Sequence, residues 1–211
     1  MDQERKPGPV NRRRRRLIAA TSAVGAIEIA AAAVPFVGSL LPSSRAKAAG
    51  APVRVSVSGL EPGQMTTVSW REKPVWILHR TAAELHKVEH SKLDLSDPKS
   101  QVPQQPPDMD LHLDNGVRAL RPQYLVLVGI CTHLGCIPEY RPQPGSVGPE
   151  WTGGFYCPCH GSKYDLSGRV LAGSPAPINL PVPPYYFESP GVIRIGELKD
   201  GADLNWEPKG W

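Results

Sequence analysis

The sequence predicts an all-β domain that carries a metal centre on loops at one end and follows one N-terminal transmembrane helix. Three observations predict this: short alternating apolar runs bounded by turn signals from residue 53 onward, abundant Gly (20) and Pro (24), and one long apolar stretch near the N-terminus. The 211 residues suffice for one domain of ordinary size plus an anchor. The net charge of +4 overstates the basicity of any folded part, because residues 12–16 are all arginine. Without that run the chain is close to neutral, which argues against a nucleic-acid partner.

The N-terminal element comes first. Residues 17–41 contain one ionisable side chain, Glu28, and are long enough to cross a hydrocarbon core as a helix. The arginines before them place residues 1–16 in the cytoplasm and everything after Pro42 on the far side of the membrane. A cleaved signal peptide is the alternative, with Ala46-Lys47-Ala48 as a small-residue cleavage pattern. The apolar stretch exceeds the usual h-region of about 7–15 residues, which favours an uncleaved signal-anchor. Arg14-Arg15-Arg16-Leu17-Ile18 also reads as a twin-arginine export signal, a route that carries folded cargo. A charged Glu28 would cost about 2.5–3.5 kcal/mol near the middle of a lone span. It is therefore expected to be protonated or to face a polar group of a neighbouring membrane subunit, and the second reading is preferred. Pro35 is expected to kink the last turns, and residues 42–52 read as a small, polar, aperiodic linker.

The β pattern starts at Val53, Val55 and Val57, which alternate with polar residues. Residues 67–70 and 75–79 read as strands separated by Arg71-Glu72-Lys73-Pro74, and residues 81–90 as a helix carrying Ala83, Leu85 and Val88. His79, His86 and His90 have no cysteine or carboxylate cluster at ligand spacing, so a solvated helix face accounts for them. Residues 93–115, rich in Pro, Gln and Asp, read as a long surface connection. A compact strand is expected at 124–128, another at 155–156 and a return strand at 168–171. A hairpin is expected from 185–187 to 192–195, turning at Ser189-Pro190-Gly191. The tail, 197–211, has two tryptophans and is expected either to pack on the domain or to touch the membrane surface.

The chemistry is concentrated in Cys131-Thr132-His133-Leu134-Gly135-Cys136 and Cys157-Pro158-Cys159-His160-Gly161-Ser162, which hold all four cysteines of the chain. A zinc finger typically pairs cysteine with cysteine and histidine with histidine. Here each run mixes one Cys with one His, as expected if two thiolates hold one iron and two imidazoles the other, with structural zinc as the alternative. The two runs closely resemble the cluster-binding boxes of Rieske [2Fe-2S] proteins. More of the chain, from the arginine run to about Ile195, resembles the Rieske subunit of a proteobacterial cytochrome bc complex.

That resemblance implies one [2Fe-2S] cluster held by Cys131, His133, Cys157 and His160, and a disulfide between Cys136 and Cys159 tying the two loops together. A pair left over from ligation is consistent with this, since export to an oxidising compartment lets it oxidise. Closing a loop of 24 residues contributes about 3 kcal/mol in the chain-entropy account. Rieske ferredoxins and oxygenases normally lack the pair. The resemblance further implies that Ser162 and Tyr164 donate hydrogen bonds to a cluster sulfide and a ligand thiolate, raising the potential. It implies that Gly173-Ser174-Pro175-Ala176-Pro177 covers the cluster from a third side, and that Leu134 lies at the exposed tip and docks on a quinone pocket. Residues 137–156 look like a surface insertion of bacterial members.

The implied function is that of the iron-sulfur subunit of ubiquinol–cytochrome c reductase, with His160 and His133 at the reacting end. The implied partners are ubiquinol, cytochrome b, a membrane-anchored cytochrome c and membrane lipid, in a dimeric complex. The implied location is the bacterial inner membrane, with the domain at 53–196 in the periplasm. The rival reading is a Rieske subunit of another periplasmic oxidoreductase, such as an arsenite oxidase.

Overall fold

A computed structural model describes residues 11–41, 50–107, 109–201 and 206–208. The chain divides into two units, Met1–Lys47 and Ala48–Trp211. The first contains helix α1 (Arg12–Ser39), 28 residues long, whose most apolar window has a mean hydropathy of 1.9. None of its residues is buried. Asn11 caps the start by accepting from the Arg13 N–H, so the helix begins within the arginine run, ahead of the apolar stretch. Pro35 lies inside the helix, which continues to Ser39. The linker at 42–52 falls largely outside the described residues.

The second unit contains three three-stranded antiparallel sheets. One is ordered β1 (Val53–Ser56), β9 (Val192–Ile195), β8 (Tyr185–Ser189). The second is β2 (Met65–Trp70), β3 (Lys73–His79), β4 (Tyr124–Val128), and the third β5 (Glu139–Arg141), β6 (Gly154–Tyr156), β7 (Lys163–Tyr164). The β2–β3 turn is tighter than the sequence predicts. Lys73 and Pro74 join the strand, and Arg71 and Glu72 alone make the turn, both at positive φ (49° and 61°). A two-residue hairpin loop needs that handedness to match the strand twist.

Helix α2 (Ala82–Glu89) starts on a reciprocal capping box in which Thr81 Oγ1 accepts from the Glu84 N–H and the Glu84 carboxylate accepts from the Thr81 N–H. Val75, Ile77, Val126, Phe155, Ile193 and Ile195 are fully buried, so one core runs beneath all three sheets.

Two expected elements differ. Residues 93–115 do not simply cross the surface: Gln104 and Leu111 are buried, and Val182 N–H donates to the Gln104 carbonyl. No strand forms at 168–171. Asp165 there captures its own backbone, Oδ1 accepting from the Ser167 and Arg169 N–H groups, and leaves only isolated bridges to Tyr164 and Leu95. In the described part of the tail, Trp206 is buried and its carbonyl accepts from Arg71.

Candidate metal centre

Strand β4 delivers the first box and β6 the second, so two buried strands of different sheets hold two loops side by side. The loops close in the same way. Cys131 N–H donates to Cys136 O (2.7 Å) and Gly135 N–H to Cys131 O (3.0 Å). Cys157 N–H donates to Ser162 O (2.8 Å) and Gly161 N–H to Cys157 O (2.9 Å). Both closures require a residue at positive φ, supplied by Gly135 (82°) and Gly161 (80°). The matched loops place Cys131 and Cys157 at equivalent buried positions, both as free thiols.

A disulfide joins Cys136 to Cys159 across the loops. Among the described residues, Sγ of Cys157 shares a 4.8 Å cluster with those two sulfurs. The covalent bond removes Cys136 and Cys159 from ligation, so Cys157 alone of the three has a ligand sulfur to offer. The rings of His133 and His160 approach to 4.8 Å between centroids, nearly perpendicular. His160 is exposed and His133 partly so.

The residues fit the cluster on their own evidence. Nδ1 of His133 is buried with no hydrogen-bond partner, an arrangement that ordinarily costs free energy and that an iron would satisfy. Burial pushes the Cys157 thiol up, so a metal ion must displace its proton on binding.

Tyr164 is buried with its hydroxyl 3.2 Å from Cys131 Sγ, and it accepts from the Thr132 N–H. Burial, then the contact with Cys131, raises its phenol and keeps it a donor. Thr132 Oγ1 gives its proton to Ile178 O (2.6 Å), so it competes with Cys131 only as an acceptor. A thiolate, being charged, is the stronger acceptor. Ser162 is fully buried and its Oγ accepts from the Ala176 N–H (3.1 Å). The 173–177 loop is thus pinned to the second box through Ser162, and Thr132 pins the first box to Ile178 just beyond.

Sequence reasoning missed Thr132, whose type carries no signal without its neighbours. It also missed Ile137, which with Leu134 is one of the two exposed large hydrophobics among the described residues of this unit (58% and 71%). The insertion is a structured hairpin. Trp151 is buried with Nε1 on the Arg141 carbonyl, and the Tyr140 hydroxyl donates to Glu84 of α2. Arg80, Arg118, Arg169 and Asp165 are buried around the 165–169 turn, the last two paired at 2.7 Å and both other arginines donating to Ser167. This buried polar group gives no periodic signal in sequence.

Residues 52–184 match the family described as Rieske [2Fe-2S] domain, and residues 4–43 match Ubiquitinol-cytochrome C reductase Fe-S subunit TAT signal. The ubiquinol–cytochrome c reductase iron-sulfur subunit of Allochromatium vinosum is 50% identical over 92% of this chain and 93% of its own length. That of Blastochloris viridis is 45% identical over 87% and 92%. A solved chain from a hyperthermophilic respiratory Complex III aligns with 82% of this chain and 97% of its own at 26% identity, with a TM-score of 0.45. The chain belongs to the Rieske [2Fe-2S] domain family and, within it, to the ubiquinol–cytochrome c reductase iron-sulfur subunits. Its cofactor is the Rieske cluster, which removes the zinc alternative.

Proposed function

We propose that the chain takes one electron and one proton from ubiquinol and passes the electron to a membrane-anchored cytochrome c. The observation that carries this is the meeting of the His133 and His160 rings at a tip that also exposes Leu134. When bound, the cluster supplies a one-electron acceptor that two neutral imidazoles make less negative, and so easier to reduce, than an all-thiolate one. Cys131, Cys157, His133 and His160 are its ligands in this reading. His160, the more exposed imidazole, orients the quinol hydroxyl held by cytochrome b and takes its proton at the outward ring nitrogen. Leu134 excludes water by docking on the apolar rim of the quinol site. Tyr164 and Ser162 hold protons toward the Cys131 thiolate and a sulfide. The relatives' names support the same complex.

The chain divides, in this proposal, into a cytoplasmic segment 1–16, an anchor at 17–41, a hinge at 42–52, a periplasmic head at 53–196 and a tail at 197–211. Helix α1 sits in the lipid of the bacterial inner membrane, and Glu28 faces a neighbouring subunit of a dimeric complex. The twin-arginine match supports export of a head already folded around its cluster. Prolines introduced through the hinge slow turnover and leave the cluster spectrum unchanged.

The test is a titration of the reduction potential of the cluster-loaded full chain against pH. A potential in the upper part of the roughly −150 to +300 mV Rieske range, falling as the imidazoles lose protons, supports quinol oxidation. A low, pH-independent potential refutes it.

A further inference from the structure

His86 lies in helix α2 and His90 caps its C-terminus four residues on, and both are exposed. Their rings stack with centroids 4.3 Å apart and planes 18° from parallel. Nδ1 of His90 lies 3.1 Å from the His86 carbonyl oxygen. A carbonyl has no proton to give, so that contact exists only when Nδ1 bears the proton, leaving the lone pair on Nε2. A backbone carbonyl fixing one ring nitrogen so that the other faces outward is the arrangement seen behind metal-ligating histidines. We propose that His86 and His90 form a chelating site for a divalent transition metal of the copper, nickel or zinc class, separate from the cluster.

His86 and His90 share the i, i+4 spacing of the pair that chelates zinc in the H-E-x-x-H helix, across the last turn of α2 and its cap. Small rotations about χ2, a broad torsion in histidine, bring stacked rings to convergence on one ion. Imidazole suits these metals, and Cu2+ binds such sites most tightly among them. Water completes the coordination. Lys87 is held by the hairpin, its Nζ donating to the Thr152 carbonyl (3.0 Å), and Lys92 lines the same groove. His79 is engaged with the Leu60 carbonyl and stacked on Tyr124, so it takes no part.

The experiment adds one equivalent of Cu2+ to the full chain with its cluster oxidised, and records the pulsed EPR modulation from imidazole nitrogens. The expected result is a spectrum of two coordinated imidazoles, with affinity falling more than about tenfold in both His86→Ala and His90→Ala. The cluster absorption of both variants stays that of the parent, which separates loss of ligation from loss of folding. His112→Ala leaves the spectrum unchanged. A one-imidazole spectrum, or one that survives either α2 substitution, overturns the proposal by placing the copper elsewhere, including on the cluster histidines.

Discussion

The Tyr164 hydroxyl lies 3.2 Å from Cys131 Sγ and accepts from the Thr132 N–H, which leaves its own proton to give to the sulfur or to Thr132 Oγ1. With Cys131 as a cluster thiolate, as the proposed function has it, a hydroxyl donating to it stabilises the more negative, reduced form, and its removal therefore lowers the potential. The differential contribution of one such bond is about 1 kcal/mol, which is roughly 40 mV for a one-electron couple. Tyr164→Phe is expected to lower the midpoint potential by that order with the cluster retained. A voltammetric midpoint unchanged from the parent would show that Thr132 takes the proton instead.

The disulfide ties the two loops together, with the Cys157 sulfur within 4.8 Å of both of its sulfurs. With a sequence separation of 23 residues, its removal is expected to cost about 3 kcal/mol in the chain-entropy account. In the double variant Cys136→Ala, Cys159→Ala, the denaturation midpoint falls, and the cluster bleaches faster in air because the loops part. Urea unfolding followed at the cluster absorption measures both. A parent-like midpoint would mean that the closing hydrogen bonds of the loops suffice alone.

The elements that sequence revealed are those with local signals. Residues 124–128 were legible as a strand because five apolar residues run together, and 185–195 as a hairpin because Pro190-Gly191 punctuates it. The candidate ligands were legible because Cys and His are rare and closely spaced. What stayed hidden depends on partners distant in sequence. Thr132 matters through Ile178 and Tyr164, and Tyr140 through Glu84, which lies 56 residues away. Leu111 looked like part of a surface connection because its neighbours are polar, yet it is buried. Residues 168–171 have strand propensity, and the Asp165 side chain overrides it by binding the local backbone.

Tyr185 links stability to alkaline pH. It is fully buried, its oxygen accepts from the Leu120 N–H, and burial raises its phenol well above the usual range. The native state therefore keeps a proton that the unfolded chain loses above about pH 10, so stability falls as pH rises there, by up to about 1.4 kcal/mol per unit. Burial works against the charge of Arg80 and Arg118, but both guanidiniums donate to backbone carbonyls and keep their protons through this range. Tyr185→Phe is expected to be less stable at pH 8 by about 1–3 kcal/mol, because the Leu120 N–H loses its acceptor. Its stability should then decline more gently between pH 10 and 11.5, by close to one proton. Urea unfolding across that range reads the slope, and identical slopes would show that Tyr185 ionises in the folded protein.

Leu134 and Ile137 flank Cys136 and are exposed when nearly every other large apolar side chain of the head is covered. In the proposed function this exposed apolar surface is covered by the partner that holds the quinol. Full burial of such a side chain is worth about 1.5–3 kcal/mol, equivalent to roughly 10- to 100-fold in a binding constant. Leu134→Asn is accordingly expected to reduce ubiquinol oxidation by the assembled complex within that range while leaving the reduction potential and the unfolding midpoint of the chain unchanged. Ile137→Asn should give a smaller loss of the same kind, because Ile137 is the less exposed of the two. The decisive comparison is turnover against potential in the same preparation. If both fall together, the substitution has disturbed the cluster loop and Leu134 is structural. If turnover falls alone, the tip is the docking surface, and the His133–His160 pair beside it is where the quinol meets the chain.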